Sequence, residues 1–227
     1  MYQGKKIAAI LLAGGSGSRF GAKGNKVYVP VGGRPIFQYS LDIFDRHPAV
    51  DELVLVVRAG EEEQMEQLPC STPRRIVTGG ASRQESVLHG LLTAEADWVL
   101  IHDGARPLVR AEDVDVCLAA LETCPGVSAA VRSKDTIKLT DEAGRVLSTM
   151  NRANTWLVQT PQGFHRDILL AAHRAHAGEP DITDDCMLLE RSGQPVQLVE
   201  SDYANIKVTT AGDLALAERY LRESGRI

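Results

Sequence analysis

Short apolar runs alternate with amphipathic helical segments between Ile7 and Val131, and this alternation constrains the fold of the chain more than any other feature. Such a repeat is typical of parallel βαβ units. The apolar runs predict strands at Ile7–Leu12, Leu53–Val57, Arg75–Val77, Trp98–His102 and Val127–Val131. The segments between them predict helices at Ile36–Arg46, Glu61–Leu68, Arg83–Ala94 and Ala111–Glu122. We therefore expect an α/β protein whose mostly parallel, twisted sheet is flanked by helices.

The pattern changes after Val131. Thr136–Leu139 and Arg145–Met150 alternate at period two around an Asp-Glu-Ala-Gly turn, which predicts a β-hairpin. The hairpin carries few large apolar residues, so we expect it to project as an arm, at about residues 134–153. The later predicted elements are a strand at Leu157–Gln159, helices at Arg166–Ala177 and Asp184–Arg191, a strand at Val196–Glu200 and a helix at Ala211–Arg222. Because no Gly-, Ser- or Pro-rich linker interrupts residues 1–227, one domain with a protruding arm is expected.

A glycine-rich loop follows the first predicted strand. It reads AGGSGSRFG from Ala13 to Gly21, and Lys26 comes shortly after it. Glycines let the backbone approach a bulky ligand, and successive amide N–H groups can surround phosphate oxygens. Arg19 and Lys26 add two positive charges beside this loop. The segment therefore predicts a binding site for a nucleoside triphosphate.

Other interpretations of the loop fit less well. A dinucleotide-binding fingerprint needs a third glycine, but after Gly15 and Gly17 that place is taken by Phe20, and the strand Leu53–Val57 is followed by Arg58 instead of an acid. The Gly-Lys-Ser/Thr of a Walker loop is absent from it. A purely structural turn would explain the glycines, but it would not require the two cations.

Two further polar groups follow predicted strands. Gly79–Gly80 and Asp103–Arg106 come after the third and fourth strands, as the glycine loop comes after the first. Ligands of open α/β sheets gather beyond the carboxyl ends of the strands, so all three loops are expected to line one crevice. Asp103 and Arg106 fit contacts to a metal, a ribose or substrate hydroxyls, or a simple pair with each other.

Two more segments have both a functional and a structural interpretation. Lys207 stands inside an apolar run at Asn205–Thr209, which predicts a strand carrying either a solvated edge lysine or a ligand-binding one. Thr183 and Asp184 are typical of a helix N-cap. Their capping role alone would account for this segment.

Charge and composition exclude several classes of protein. A net charge of −5 and a pI near 5.7 argue against a nucleic-acid-binding surface, and no apolar run reaches the roughly 20 residues that span a bilayer. No secretory signal is visible before the first strand, and four scattered cysteines indicate reduced thiols, so a cytoplasmic location is expected. His173 and His176, one helical turn apart, suit a metal site less well than a solvated helix face.

Together these segments resemble a known family, the 2-C-methyl-D-erythritol 4-phosphate cytidylyltransferases of the non-mevalonate isoprenoid pathway. The resemblance extends from Ile7 to about Leu221 and rests on six motifs in order. These are LAGGxGxR with Lys26, IHDxARP at 101–107, KDTIK at 134–138, Arg152 with Trp156 and QTPQ at 159–162, ITD at 182–184, and NIKVT at 205–209. The resemblance implies a Rossmann-like nucleotidyltransferase fold and a reaction of CTP with a polyol phosphate that releases pyrophosphate.

The resemblance also implies roles for individual residues. Arg19 and Lys26 would stabilise the transition state, while Arg152 and Lys207 would place the attacking phosphate. The implied nucleotide-binding residues are Ala13, Gly14, Gly15, Gly17, Gly80 and Ser86. The implied substrate-binding residues are Asp103, Arg106, Thr136, Thr160 and Thr183. A divalent cation such as Mg²⁺ would bridge the triphosphate through ligands that the sequence does not identify, and the arm would reach into a second subunit of a homodimer.

The chain departs from the family pattern at a few positions. Val27 and Gly104 stand where Gln and Ala are common, and Ala81 stands where some relatives have an acid near the base. The alternatives to the resemblance are a ribitol 5-phosphate cytidylyltransferase, a module that binds CTP without turnover, and a nicotinamide-dependent oxidoreductase. The first shares the fold, and the last is disfavoured by Phe20.

Overall fold

A computed structural model describes residues 1–15 and 24–227, and a seven-stranded sheet forms its centre. The strands are β1 Ile7–Leu12, β2 Pro30–Val31, β3 Arg34–Pro35, β4 Glu52–Val57, β5 Arg74–Thr78, β6 Trp98–Asp103, β7 Gly126–Arg132, β8 Lys138–Thr140, β9 Val146–Thr149, β10 Trp156–His165 and β11 Val196–Glu200. The helices are α1 Ile36–Arg46, α2 Glu62–Glu66, α3 Arg83–Thr93, α4 Ala111–Leu121, α5 Arg166–Ala175, α6 Asp185–Arg191 and α7 Ala211–Glu223. Among these described helices, none is long and apolar enough to cross a bilayer.

The sheet has the strand order β11-β7-β10-β6-β1-β4-β5. All neighbouring pairs are parallel except those of β10, which runs antiparallel to both β6 and β7. The predicted α/β class and mostly parallel sheet are therefore confirmed. Strands buried on both faces explain why the sequence shows continuous apolar runs instead of alternation.

Helices cover both faces of the sheet. Helices α1 and α4 pack on one face, where Phe37, Phe44 and Leu118 are fully buried in one core cluster with residues of β1, β4, β6 and β7. Helices α3, α5 and α6 cover the other face through residues such as Leu91 and Leu188. This two-sided burial fixes the sheet, and the carboxyl ends of its parallel strands open into the loops described below.

The strand β10 is much longer than expected. The sequence predicts only Leu157–Gln159, but the strand continues to His165 with a register shift between Val158 and Gln162. Its central residues Gln159, Thr160 and Gln162 are polar and buried. An apolar pattern cannot reveal such a strand, because its polar side chains make hydrogen bonds inside the protein.

Two smaller expectations also need correction. The predicted helix Glu61–Leu68 is shorter, at Glu62–Glu66. The apolar run Asn205–Thr209 joins no sheet in the described part of the chain, so its interpretation as a strand is wrong. A backbone hydrogen bond attaches this segment to the loop after β6 instead, since Val208 N–H donates to the Ala105 carbonyl at 2.8 Å.

The predicted hairpin is present as β8 and β9. The Asp141 carboxylate closes its turn by accepting hydrogen bonds from the backbone N–H groups of Ala143 at 3.0 Å and Arg145 at 2.9 Å. Its larger apolar side chains do not enter the core: Leu139, Val146 and Leu147 are all exposed. A polar turn and an exposed apolar surface therefore characterise this segment.

Candidate active site

A cavity of about 390 Å³ lies beyond the carboxyl ends of β1, β5 and β6. Its described lining consists of Leu12, Gly14, Gly15, Lys26, Val27, Gly80, Ala81, Ser82, Arg83, Ser86, Asp103, Ala105, Lys207 and Thr209. The loops that follow three different strands thus meet in one crevice, as the strand-end pattern predicts. Gly17 and Arg19 lie outside the described residues.

The start of the glycine loop is held by Arg58, the residue that follows β4. Arg58 Nε donates to the Gly14 carbonyl at 3.3 Å, and Nη2 donates to the Gly15 carbonyl. Ala13 is buried, and its N–H donates to the Val56 carbonyl at 2.7 Å. With these carbonyls engaged inside the protein, the backbone at Gly14 and Gly15 has a fixed path along the cavity wall.

Asn25 positions the next residue, Lys26. Its Nδ2 donates to the Ala13 carbonyl at 2.6 Å and to Glu61 at 2.8 Å, and its Oδ1 accepts from Val27 N–H at 3.3 Å, which caps the 3₁₀ turn Lys26–Tyr28. The buried Asn25 side chain therefore ties Lys26 to the end of β1. Sequence reasoning missed this residue, because no apolar or helical pattern around it reveals its contact with the end of β1.

Gly80 and Ser86 form a second wall of the cavity. The Gly80 N–H donates to Ser86 Oγ at 3.1 Å, and that hydroxyl donates to the Ser82 carbonyl at 2.8 Å. A Cβ added to Gly80 would lie 2.4 Å from Cβ of Glu85, so this position requires glycine. The first turn of α3 can therefore close tightly onto the loop after β5.

Asp103, at the end of β6, is the centre of a charged cluster. Its Oδ2 lies 2.6 Å from Lys207 Nζ and 4.0 Å from Arg106 Nε, and its Oδ1 lies 3.6 Å from Arg83 Nε. Burial alone would raise the pKa of Asp103, but Arg83, Lys207 and Arg106 together hold that pKa well below its usual range. The carboxylate is therefore ionised, and its closest partner is Lys207 instead of the Arg106 considered from the sequence.

Arg106 supports this charged cluster through hydrogen bonds outside the cavity. Its Nη1 donates to the Asn205 carbonyl at 2.8 Å, and its own carbonyl accepts from Ser40 Oγ at 3.0 Å. Burial lowers the pKa of this guanidinium. Because Arg106 joins the loop after β6 to the segment that carries Lys207, it holds two parts of the site together and does not line the cavity itself.

His102 and Thr160 lie beneath Asp103. The Thr160 hydroxyl accepts from the Asp103 N–H at 3.1 Å and lies 3.0 Å from His102 Nδ1. Burial lowers the pKa of His102 to about 4, so the ring is neutral near pH 7. Thr160, implied by the resemblance to contact substrate, is buried outside the cavity lining and supports Asp103 in this structure.

Arg83 is a cationic lining residue that sequence reasoning did not select. It begins α3 directly after Ser82, whose hydroxyl caps that helix by accepting from Glu85 N–H at 3.0 Å. Arg83 Nη1 donates to Asp185 at 2.7 Å. Its position shortly after Gly79–Gly80, the glycine pair that follows β5, is the sequence signal that could have identified it.

The two histidines of α5 have different environments. His173 is buried, with Nε2 3.6 Å from Asp185 Oδ1, so the expectation of a solvated face is wrong for this residue. His176 pairs with Glu179 at 2.8 Å. Within residues 1–15 and 24–227, no group of three His, Cys, Asp or Glu side chains could hold a metal ion, and the four cysteines are free thiols.

Like Arg106 and Thr160, three further residues selected from the sequence lie away from the cavity lining. Thr136 precedes β8, and Arg152 follows β9, where it is exposed and its Nη1 lies 3.4 Å from the Lys134 carbonyl. Thr183 is exposed before α6, which Asp184 caps by accepting from Met187 N–H at 3.1 Å. In one chain, the arm residues and the cavity cations are therefore separate groups.

Comparison with known proteins identifies the family. The family model described as IspD, 2-C-methyl-D-erythritol 4-phosphate cytidylyltransferase, matches residues 7–223. The chain belongs to the IspD family. The resemblance that six motifs indicated is thereby confirmed, and the nucleotidyltransferase class with it.

Individual IspD proteins are similar over nearly their whole length. The enzyme of that name from a Synechococcus species is 43% identical over 94% of this chain and 95% of its own length. The Geobacter metallireducens enzyme is 40% identical, with 96% and 98% covered. The crystal structure of 4-diphosphocytidyl-2C-methyl-D-erythritol synthase from Anaerococcus prevotii has a TM-score of 0.88 at 34% identity, covering 96% of each chain. The IspD fold therefore extends across the sheet and the arm.

Proposed function

We infer that this chain transfers the cytidylyl group of CTP to 2-C-methyl-D-erythritol 4-phosphate, giving 4-diphosphocytidyl-2-C-methyl-D-erythritol and pyrophosphate. The observation that carries this inference is the IspD match over residues 7–223. The cavity supports it independently, because Gly14, Gly15 and three cations, Lys26, Arg83 and Lys207, line a space suited to phosphates. The reaction belongs to isoprenoid synthesis.

The chemistry needs charge neutralisation more than proton transfer. The second pKa of a phosphate monoester is about 6, so the attacking phosphate is mostly a dianion at neutral pH. Its oxygen forms a bond to the α-phosphorus of CTP while the bond from that phosphorus to the pyrophosphate oxygen breaks. Negative charge gathers on the leaving group, where Lys26, and Arg19 by family resemblance, would stabilise it.

Lys207 and Asp103 would bind the acceptor substrate, the polyol phosphate. The ammonium of Lys207 is held 2.6 Å from Asp103 yet lines the cavity, so it can bind the attacking phosphate without moving far. Arg106 would contribute by keeping the Lys207 segment in place. Thr183 remains a proposed contact to the polyol.

Gly80 and Ser86 would hold the cytosine ring. Reading cytosine against uracil means distinguishing an amino group from a carbonyl, which fixed backbone groups and a hydroxyl can do. The Gly80–Ser86 hydrogen bond and the tight packing of Gly80 give this wall the necessary rigidity. The backbone of Gly14 and Gly15 would run along the triphosphate, a role that the family resemblance extends to Gly17.

A divalent cation would bind mainly through the nucleotide. Asp103 is the one carboxylate in the described lining, and it is already paired with Lys207. Mg²⁺ prefers oxygen ligands, retains several waters and commonly binds with one or two carboxylates plus substrate phosphates. The residues thus fit a metal that enters on the triphosphate, with Asp103 as its nearest acid, and Mg²⁺ would neutralise charge there.

We also propose a homodimer formed through the arm at about residues 134–153. Leu139, Val146, Leu147 and Met150 are exposed, and such an apolar surface on a projecting hairpin fits a second copy of the chain. Thr136 and Arg152 would then act in the partner's cavity. One domain of residues 1–227, located in the cytoplasm, completes this proposal.

Pyrophosphate release tests the function. The protein is given CTP and Mg²⁺ with equal amounts of methylerythritol phosphate and ribitol 5-phosphate, and both products are separated and measured. Turnover that favours methylerythritol phosphate is expected. A preference for ribitol 5-phosphate would overturn the acceptor, and CTP binding without turnover on either acceptor would support a non-catalytic module.

A further inference from the structure

A buried acid stands behind Arg83 on the side away from the cavity. The Asp185 side chain is 1% exposed, and its Oδ2 accepts from Arg83 Nη1 at 2.7 Å. Arg83 Nε faces Asp103 at 3.6 Å. Among the described residues, none accepts a hydrogen bond from Nη2. Two carboxylates thus set the plane of the guanidinium, and the remaining N–H groups are left for a ligand of the cavity that Arg83 lines.

His173 contacts the same acid from a third element. Its side chain is also 1% exposed, and its Nε2 lies 3.6 Å from Asp185 Oδ1, the oxygen that Arg83 does not use. This distance is longer than a hydrogen bond, and no described group makes one with the buried Nε2, so Asp185 is its nearest charged neighbour. Helix α5 therefore supports Asp185 of α6, which in turn supports Arg83 of α3. In the described part of the chain, His173 and Arg83 share no hydrogen bond or ion pair.

The charges of this group explain why it must stay paired. Burial opposes ionisation of Asp185, but Arg83 and then His173 outweigh it, so the pKa of Asp185 lies below its usual range. Removing one partner of a buried ion pair leaves the other charge uncompensated, which is costly. Arg83 is thereby kept in one place and one charge state, although it lies at the edge of an open cavity.

We propose that Asp185, supported by His173, is a positioning residue that holds the Arg83 guanidinium ready to bind CTP. This inference rests on the proposed function. Arg83 stands on the same first turn of α3 as Ser86, so it lies on the nucleotide side of Asp103. Neither Asp185 nor His173 lines the cavity, and both would act only through Arg83.

A double-mutant cycle separates this role from a general effect on stability. Asp185→Asn and Arg83→Gln are made singly and together, and the dissociation constant for CTP with Mg²⁺ is measured by calorimetry without acceptor. Asp185→Asn is expected to weaken CTP binding about tenfold, the loss typical of one charged hydrogen bond. The KM for the polyol phosphate should change less than twofold. In the Arg83→Gln background, Asp185→Asn should have no further effect on CTP binding.

Two more variants make the cycle decisive. His173→Gln should weaken CTP binding to a smaller degree, again only while Arg83 is present, and it serves if Asp185→Asn does not fold. Glu190→Gln, an exposed amide substitution on the same helix, is the matched control and should bind CTP normally. Equal losses with and without Arg83, or unchanged binding in Asp185→Asn, would overturn the proposal. Wild-type protein that binds CTP but releases no pyrophosphate would overturn the proposed reaction. It would leave the role of Asp185 testable, because the double-mutant cycle measures only CTP binding.

Discussion

The cations of the cavity are fixed by different means. Lys207 is held by an acid at 2.6 Å, and Arg83 by two acids on opposite sides. Lys26 is placed through its neighbour Asn25, whose amide reaches the carbonyl at the end of β1. Preorganised charges of this kind need little rearrangement when negative charge develops, which is the largest source of catalysis in many enzymes.

Lys26→Ala is expected to lower kcat by roughly 10²–10³-fold, the loss typical of removing one preorganised donor to a developing charge. Steady-state pyrophosphate release with both substrates saturating measures it. Lys5→Ala removes an exposed lysine near the amino terminus and is the control. A Lys26→Ala enzyme with near-normal kcat would show that this lysine does not act on the transition state.

Gly80→Ala is expected to raise the KM for CTP about tenfold or more. The new methyl group would lie 2.4 Å from Cβ of Glu85, so the loop after β5 must move away from α3 and from Ser86. Gly212→Ala is a suitable control, because a Cβ there would meet its nearest neighbour at 3.6 Å, an ordinary contact. Equal KM values for CTP in both variants would argue against a rigid Gly80 wall.

At this scale the sequence predicts the residues that end strands better than those that support them. Gly14, Gly80 and Asp103 follow apolar runs, and they do line one cavity. Asn25 and Asp185 carry no such signal, because their importance lies in contacts with Ala13 and Arg83 that only the folded chain creates. Arg58 also follows a strand, and its contacts with the Gly14 and Gly15 carbonyls likewise exist only in the folded chain.

Among the elements, the arm has a turn closed by polar hydrogen bonds and strands with exposed apolar side chains. Leu147, on β9, is 69% exposed, and Met150, directly after β9, is 41% exposed. A hairpin of two short strands is marginally stable by itself, so a covering surface would stabilise it. The hairpin was predictable from its period-two pattern, whereas the direction of its apolar side chains was not.

Leu147→Lys is expected to shift the protein from dimer towards monomer, since a charge would replace an apolar side chain in the proposed interface. Light scattering across a concentration series measures the shift. Leu92→Lys replaces a leucine that is 56% exposed on α3 and should leave the oligomeric state unchanged. Identical masses for wild type and Leu147→Lys at every concentration would argue against dimerisation through this face.

The elements that sequence analysis misjudged share a physical cause. The extent of β10 and the conformation of Asn205–Thr209 depend on hydrogen bonds between distant parts of the chain. Asn205 Nδ2, for example, donates to the Thr160 carbonyl at 2.9 Å, which joins this segment directly to β10. Local hydrophobic patterns report burial, but they do not report which backbone groups are paired.

For the whole molecule, His102 links stability to pH. Its pKa in the folded protein, about 4, lies below the 6.5 of an ordinary histidine, so the unfolded chain takes up the proton first. The stability that a neutral His102 contributes is therefore complete above pH 6.5 and is lost as the pH falls towards 4.

His102→Gln should consequently lose less stability than wild type between pH 8 and pH 5, by about 2 kcal/mol. Urea unfolding at the two pH values measures the free energies. Groups common to both proteins cancel in this difference. Parallel losses in wild type and variant would mean that His102 is protonated equally in the folded and unfolded chains.

The position of β10 in the sheet has a consequence for synthesis on the ribosome. Strands β1, β4, β5 and β6 are complete once residue 103 has emerged. In the described sheet, however, the other side of β6 pairs with β10, which ends at residue 165. Strand β7 emerges earlier and cannot fill that place, because it too pairs with β10. During translation of these 62 residues, the nascent chain presents the open backbone edge of an apolar strand, the kind of edge that invites aggregation.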